Sequence, residues 1–188
     1  LLSHTFFVRK PDVFFIYYKT LLLTTDAKPN AAHAALAKLE AQGKLTAVVT
    51  QNIDGLHQLA GSKNVYELHG SIHRNHCMRC NRFFDAEYVK NHSGIPYCPC
   101  GGMIKPDVVL YEESLDPDVR AGAVAHISRA DMLIVGGTSL QVYPAAGLIN
   151  YYSGNKLVLI NKTITPYDSY ANLVINDSIG KVLSAAVE

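Results

Sequence analysis

Three apolar runs set the strongest limit on how this chain can fold: Asp131-Met132-Leu133-Ile134-Val135, Leu157-Val158-Leu159-Ile160 and Leu173-Val174-Ile175. Each is apolar throughout instead of alternating, which is the pattern of a strand covered on both faces. Each also stops abruptly, at Gly136-Gly137-Thr138-Ser139, at Asn161 and at Asn176-Asp177-Ser178. A further strand at Ala47 to Thr50 runs into Gln51-Asn52-Ile53-Asp54. Helical stretches separate them: AAHAALAKLEAQGK with Gly43 as its stop, a helix opened by Asp116-Pro117 and reaching about Ser128, Pro144 to Tyr152, and the last residues of the chain. Strands alternating with helices predict an α/β fold built on a doubly wound parallel sheet.

In open α/β sheets, ligands gather at the carboxyl ends of strands. The stretch Val48 to Ser71 supplies two such ends close together: the polar elbow after Thr50, a short helix from Leu56 that Gly61 ends, and Val65-Tyr66-Glu67-Leu68 leading to His69-Gly70. A histidine at a strand end, downstream of Asn52 and Asp54, suits a general base of near-neutral pKa. The glycine elbow at 136–139 offers backbone N–H groups and hydroxyls to ribose or phosphate oxygens, and Asn161 and Asn176-Asp177-Ser178 add polar groups on the same edge.

The segment from Ile72 to Lys105 has a different character, richer in His, Arg, Asn and Cys, and reads as an insertion stapled by something other than a core. All four cysteines lie there, as Cys77-Met-Arg-Cys80 and Cys98-Pro-Cys100. Two close pairs of thiolates give tetrahedral zinc ligation with no open position, so the metal is expected to be structural. Before these motifs, Phe6, Phe7, Phe14, Phe15, Tyr17 and Tyr18 form an aromatic stripe on helical segments broken at Lys10-Pro11, read as packing. His33 reads as a surface or capping group. A formal charge of +1, from 17 basic and 16 acidic residues, gives no broad footprint for nucleic acid or an anionic membrane. The apolar runs near the start are too short to span a bilayer, and a cytosolic location is expected.

Taken together, these residues resemble a known family, the bacterial-type sirtuins, which are NAD-dependent protein lysine deacylases. The likeness is carried by Gln51-Asn52-Ile53-Asp54, His69-Gly70, the two cysteine pairs, Lys105-Pro106-Asp107-Val108-Val109-Leu110-Tyr111-Glu112-Glu113, Gly137-Thr138-Ser139-Leu140 and Leu159-Ile160-Asn161. It implies a Rossmann-like parallel sheet with a small inserted domain made of a helical part (residues 1–30) and a zinc-binding part (72–105). Residues 31–71 and 106–188 would form the Rossmann-like domain. NAD would be the cosubstrate, one zinc the structural metal, and acetylated lysine in proteins or peptides the partner.

By the same resemblance, Gln51, Asn52, Ile53 and Asp54 hold the nicotinamide and its ribose, and His69, with Asn52, is catalytic. In the family's mechanism the acetyl oxygen attacks the ribose carbon as nicotinamide leaves. His69 then activates the 2′-hydroxyl, giving lysine and 2′-O-acetyl-ADP-ribose. Gly137, Thr138, Ser139, Asn161, Lys162 and Ser178 match positions around the adenosine half. Val109 matches the residue whose backbone holds the acyl-lysine amide, Leu110 to Glu113 would pair with the peptide as an added strand, and Tyr17 lies at the acyl end. Two departures stand out. The family's phosphate-binding glycine loop, with its Pro-Asp-Phe-Arg segment, lies before the region matched by Leu1, so these residues alone are expected to be a truncated, weakly active form. Where succinyl-preferring relatives carry Tyr-x-x-Arg, this chain has Tyr17-Tyr18-Lys19-Thr20, which predicts deacetylation, with Lys19 as a partial substitute for the arginine. Two other classes compete: a silent NAD or ADP-ribose binder, and a zinc-ribbon nucleic-acid module using Arg74, Arg79, Arg82 and Lys90.

Overall fold

The computed structural model describes residues 1–187. Ser3 caps α1 (His4–Arg9), its Oγ accepting the Phe6 N–H, and Pro11 opens α2 (Pro11–Tyr17), which runs on as a π-helical turn over Tyr18–Leu22. The break at Lys10-Pro11 is therefore real, since proline suits a first helical turn and not an interior. Asn30 caps α3 (Ala31–Ala41) in a capping box whose return arm is His33 Nδ1, accepting the Asn30 N–H at 3.1 Å. Then come β1 (Val48–Thr50), α4 (Leu56–Leu59), β2 (Val65–Glu67), β3 (Gly70–Cys77), β4 (Phe83–Phe84), α5 (Ala86–Asn91) and β5 (Ile104–Val108). Asp116 caps α6 (Pro117–Arg129) by accepting the Asp118 and Val119 N–H groups. The chain closes with β6 (Leu133–Gly136), β7 (Leu157–Ile160), β8 (Leu173–Ile175) and α7 (Ile179–Ala186), with a 3-10 turn over Ala145–Tyr151 where a helix was expected over Pro144 to Tyr152.

Internal contacts divide the chain into two units. The first holds Leu1–Ala27, Gln51–Gly55 and Glu67–Leu115; the second holds Lys28–Thr50, Leu56–Tyr66 and the residues from Asp116 onward. Residues 51–55, 67–71 and 106–115, which the sequence-based division keeps with the Rossmann-like part, fall by contact with the first unit, and residues 28–30 fall with the second. Hydrogen bonding explains this: β3 pairs antiparallel with β5 at Gly70↔Val108 and Ser71↔Asp107 and again from Asn75↔Pro106 to Cys77↔Ile104, and in the bulge between them the Ile72 N–H donates to the Ile53 carbonyl.

In the first unit, β4-β3-β5 form a three-stranded sheet over a core of Phe7, Phe14, Phe15, Tyr18, Ile72, Val89 and Ile104. The aromatic stripe is thus packing, with Phe7–Phe14 and Phe14–Phe15 edge to face at 4.9 and 5.3 Å. Gly70 is required where β3 meets β5: at φ +75°, a Cβ there would lie 1.7 Å from the Asp107 carbonyl oxygen.

In the second unit, β6, β7 and β8 are parallel and in register, and β1 and β2 make a separate two-stranded sheet. Burial on both faces holds for β7, where Leu157, Leu159 and Ile160 are buried, but not for its neighbours, since Ile134 is 39% and Leu173 51% exposed. These belong to the outer strands of the three, which have one neighbour each in this sheet. α7 packs so close to β6 that a Cβ on Gly136 would meet Ile179 Cδ1 at 2.2 Å.

Candidate functional site

The elbow after β1 is laced onto the segment around the start of β3. His69 Nδ1 lies 3.1 Å from the Gln51 carbonyl, the Ile72 N–H donates to Ile53 O at 3.0 Å, and His73 Nε2 lies 3.0 Å from the Asp54 carbonyl. Ile53 turns inward against the aromatic core while Asn52 is exposed, the alternation an extended turn imposes. A carbonyl can only accept, so the proton of a neutral His69 sits on Nδ1 and Nε2 is left as the basic nitrogen. Gln51, Asn52, Ile53, Asp54 and His69 are thereby brought into one constellation.

Beyond β5, Val109 donates its N–H to the His69 carbonyl, which couples it to the same histidine. Leu110–Glu113, the stretch expected to pair with the peptide, forms a turn. The Glu113 N–H donates to Leu110 O, the Glu113 carboxylate accepts the Leu110 N–H at 2.9 Å, and Glu112 sits at φ +77°. Glu112 holds that left-handed conformation with its carboxylate taking both the N–H and the hydroxyl of Thr5, at 2.9 and 2.7 Å. The Tyr111 backbone is committed to Leu2 and His4, while its side chain is 63% exposed.

Glu113 closes this loop through its side chain as well as its backbone. Besides Leu110, its carboxylate meets Lys105 Nζ at 3.1 Å and His4 Nδ1 at 2.8 Å. Burial alone would raise its pKa, but the Leu110 N–H, His4 and Lys105 outweigh it and hold it below the ordinary glutamate range. A depressed folded-state pKa stabilises above the unfolded value, and that stability fades as pH falls through the folded one. Glu113→Gln should therefore cost about 1–2 kcal/mol at pH 7, with the difference from wild type shrinking below about pH 4, measured by urea denaturation across pH.

Tyr17 lines an apolar hollow with Leu1, Val13, Ile16, Thr20 and Leu21. Lys19, the expected stand-in for arginine, is engaged elsewhere: its Nζ donates to the His92 and Gly94 carbonyls just past α5, and burial lowers its pKa. Thr20 donates its hydroxyl to Ile16 O.

In the second unit the register aligns the ends of β6, β7 and β8, with Gly136 beside Ile160 and Ile160 beside Ile175. Gly137, Asn161 and Asn176 therefore follow at one edge, with neighbouring strands about 4.8 Å apart. Gly137 is at φ +65° and gives its N–H to Ile160 O; Thr138 Oγ1 accepts the Leu140 N–H. Asn176 Nδ2 reaches Asn161 O, Ser178 opens α7, and Ser139 and Lys162 are exposed. These cofactor candidates are gathered at the edge the apolar runs predicted.

The four cysteines converge in the first unit, all four Sγ atoms lying within 4.8 Å of one another. Cys77–Cys100 and Cys80–Cys98 are 3.5 and 3.6 Å apart, against the roughly 3.8 Å edge of a zinc–sulfur tetrahedron with 2.3 Å bonds. The cradle is tight: a Cβ on Gly102 would lie 2.6 Å from Cys77 Sγ. Burial opposes ionisation of Cys77, yet the N–H groups of Cys80 and Arg79 and the thiols of Cys100 and Cys80 bring it down to about 6. For Cys98 the Cys100 N–H favours the thiolate, but burial and the other three thiols push it up to about 12. The quartet is positioned to hold one zinc ion, and its one-residue second spacing fits, because the Cys98 N–H and the Gly101 N–H fold that loop back onto Gly102 O and Cys98 O.

A family model for the Sir2 family matches residues 1–144. Among curated relatives, the NAD-dependent protein deacetylase of Clostridium acetobutylicum is 65% identical over all of this chain and 77% of its own length. That of Clostridium perfringens is 62% identical over all of this chain and 78% of its own. Among solved structures, Sir2 with a p53 peptide and NAD+ superposes with a TM-score of 0.93 at 41% identity, over 99% of this chain and 80% of that one. Sir2 bound to acetylated peptide gives 0.92 at 40%, over 98% and 81%. On this extent of agreement, over a fold and a cysteine quartet already in place, the chain belongs to the Sir2 family.

Proposed function

We propose that these residues carry an NAD-dependent protein lysine deacetylase. The observation that carries the reading is the tether from His69 Nδ1 to the Gln51 carbonyl, which joins a base with a free Nε2 to the Asn52–Asp54 elbow. Asn52 and Asp54 would hold the nicotinamide and its ribose, with Gln51 and Ile53 shaping that turn. The acetyl oxygen displaces nicotinamide from the ribose carbon, and His69 Nε2 takes the 2′-hydroxyl proton as that oxygen attacks the alkylamidate. Water completes the release of free lysine and 2′-O-acetyl-ADP-ribose. Gly137, Thr138, Ser139, Asn161, Lys162 and Ser178 serve the adenosine half. Val109 and the Leu110–Glu112 turn, with Tyr17 at the acyl end, serve the peptide. The four cysteines hold a structural zinc, and a thiolate cluster of this kind suits a reducing cytosol.

The zinc-ribbon alternative loses three of the four cations it would use. Arg74 pairs with Glu67, Arg79 donates to Cys100 O and Lys90 to Thr25, so these cations serve the fold. No helix among the described residues is long and apolar enough to cross a membrane.

The product of the full open reading frame should convert an acetyl-lysine peptide and NAD to nicotinamide and 2′-O-acetyl-ADP-ribose, detected by mass spectrometry. With Lys19 engaged and no arginine at the acyl end, acetyl-lysine should be preferred over succinyl-lysine by at least about tenfold in kcat/KM, the worth of one charge-assisted bond. A preference for succinyl would reject the acyl assignment, and absence of acetyl transfer would reject the reaction.

A further inference from the structure

His73 has no role in the reading above, yet it touches the elbow at two successive residues. Its Nε2 lies 3.0 Å from the Asp54 carbonyl, and the same ring covers Gly55, where a Cβ would lie 2.8 Å from Cδ2 and 3.1 Å from Nε2. Gly55 is at φ +69°, so the turn needs glycine both for its backbone and for the ring that fills the space. We propose that His73 is a positioning residue for the nicotinamide-facing elbow, fixing Asp54 and Gly55 through a hydrogen bond from Nε2. This rests on the assignment of Asn52–Asp54 to nicotinamide and its ribose.

The ring is well anchored at its root. The His73 N–H donates to Oγ of the buried Ser71 at 3.2 Å, and the next residue, Arg74, is held by Glu67 at 2.8 Å. The rung lies beside the one from Ile72 N–H to Ile53 O, so two consecutive carbonyls of the elbow are held by two consecutive residues of β3. The two histidines divide the work by nitrogen. His69 spends Nδ1 on the elbow and keeps Nε2 for a proton; His73 spends Nε2 on the elbow. His73 is itself exposed and outside the core, so its replacement leaves the fold standing.

The test uses the full open reading frame product with His73→Phe, which keeps a ring and loses the donor, and His73→Gln, whose amide nitrogen reaches the Nε2 position. For His73→Phe, amide exchange at Ile53–Gly55 should accelerate and inhibition by free nicotinamide should weaken roughly three- to tenfold, the worth of one net hydrogen bond. The peptide KM and the affinity for AMP, which probes the adenosine half, should not change. His73→Gln should recover both altered quantities. Wild-type exchange in His73→Phe, or failure of His73→Gln to recover, overturns the proposal. Faster exchange with unaltered nicotinamide inhibition would instead show a tether on an elbow that does not face nicotinamide, removing the assignment on which the proposal rests.

Discussion

Removing the metal, or replacing Cys77 with serine, should unfold the zinc-binding part and take the sheet of the first unit with it. Cys77 and Cys98 are buried members of the same core as Phe7, Phe15, Ile72 and Ile104, so the metal site is continuous with that core. Cys77 is also the last residue of β3, the strand that begins beside His69 and pairs with β5 on either side of a bulge at residues 72–74. A structural zinc in a small domain contributes roughly 10–16 kcal/mol, comparable to the whole stability of a typical domain. Without it, two buried sulfurs and the loop around Gly102 remain packed for a tetrahedron that nothing closes. Dialysis against a strong chelator should lower the thermal midpoint by well over about 10 °C and abolish the near-ultraviolet signal of the aromatic core, with recovery on adding one equivalent of zinc. An unchanged midpoint after complete metal removal would reduce the quartet to four packed thiols. Cys80→Ser, at an exposed ligand, separates metal loss from core damage: it should reproduce the chelated state although it removes nothing from the core.

Where local chemistry decided the structure, it could be read from the residues. The apolar runs ending in Gly136, Ile160 and Ile175 are parallel strands with aligned ends, because an unbroken apolar run has few other ways to be buried. Cysteine spacing revealed the metal quartet, and Asn30 and Asp116 cap their helices as their side chains dictate. What escaped was decided by partners distant in sequence. Leu110–Glu113 turns because Thr5, 107 residues away, captures the Glu112 carboxylate and His4 and Lys105 capture that of Glu113. Lys19 reads as a free cation until α5 presents the His92 and Gly94 carbonyls to it. His73 lies in a histidine-rich segment, and its place at the elbow is set by its contact with Asp54 and Gly55, distant partners that local sequence does not show.

Replacing His69 should have the largest effect on activity. His69 does two things through two nitrogens: Nδ1 ties it to Gln51, and Nε2 is the base. His69→Asn places an amide near Nδ1 and has nothing at Nε2, so it keeps the tether and removes the base, whereas His69→Ala removes both. If the base matters, both variants should lose deacetylation by about a hundredfold or more, within the range general bases contribute. Nicotinamide departs before the 2′-hydroxyl is activated, so exchange of labelled nicotinamide into NAD should persist in His69→Asn. In His69→Ala that exchange should fall further, since the elbow has lost its rung at Gln51. The thermal midpoint should move little in either variant, because His69 is only partly buried and is not a member of the aromatic core. Deacetylation within tenfold of wild type in His69→Asn would assign the histidine to holding the elbow and leave the proton transfer to another group. Loss of nicotinamide exchange in His69→Asn along with deacetylation would place His69 at the first step instead of the second.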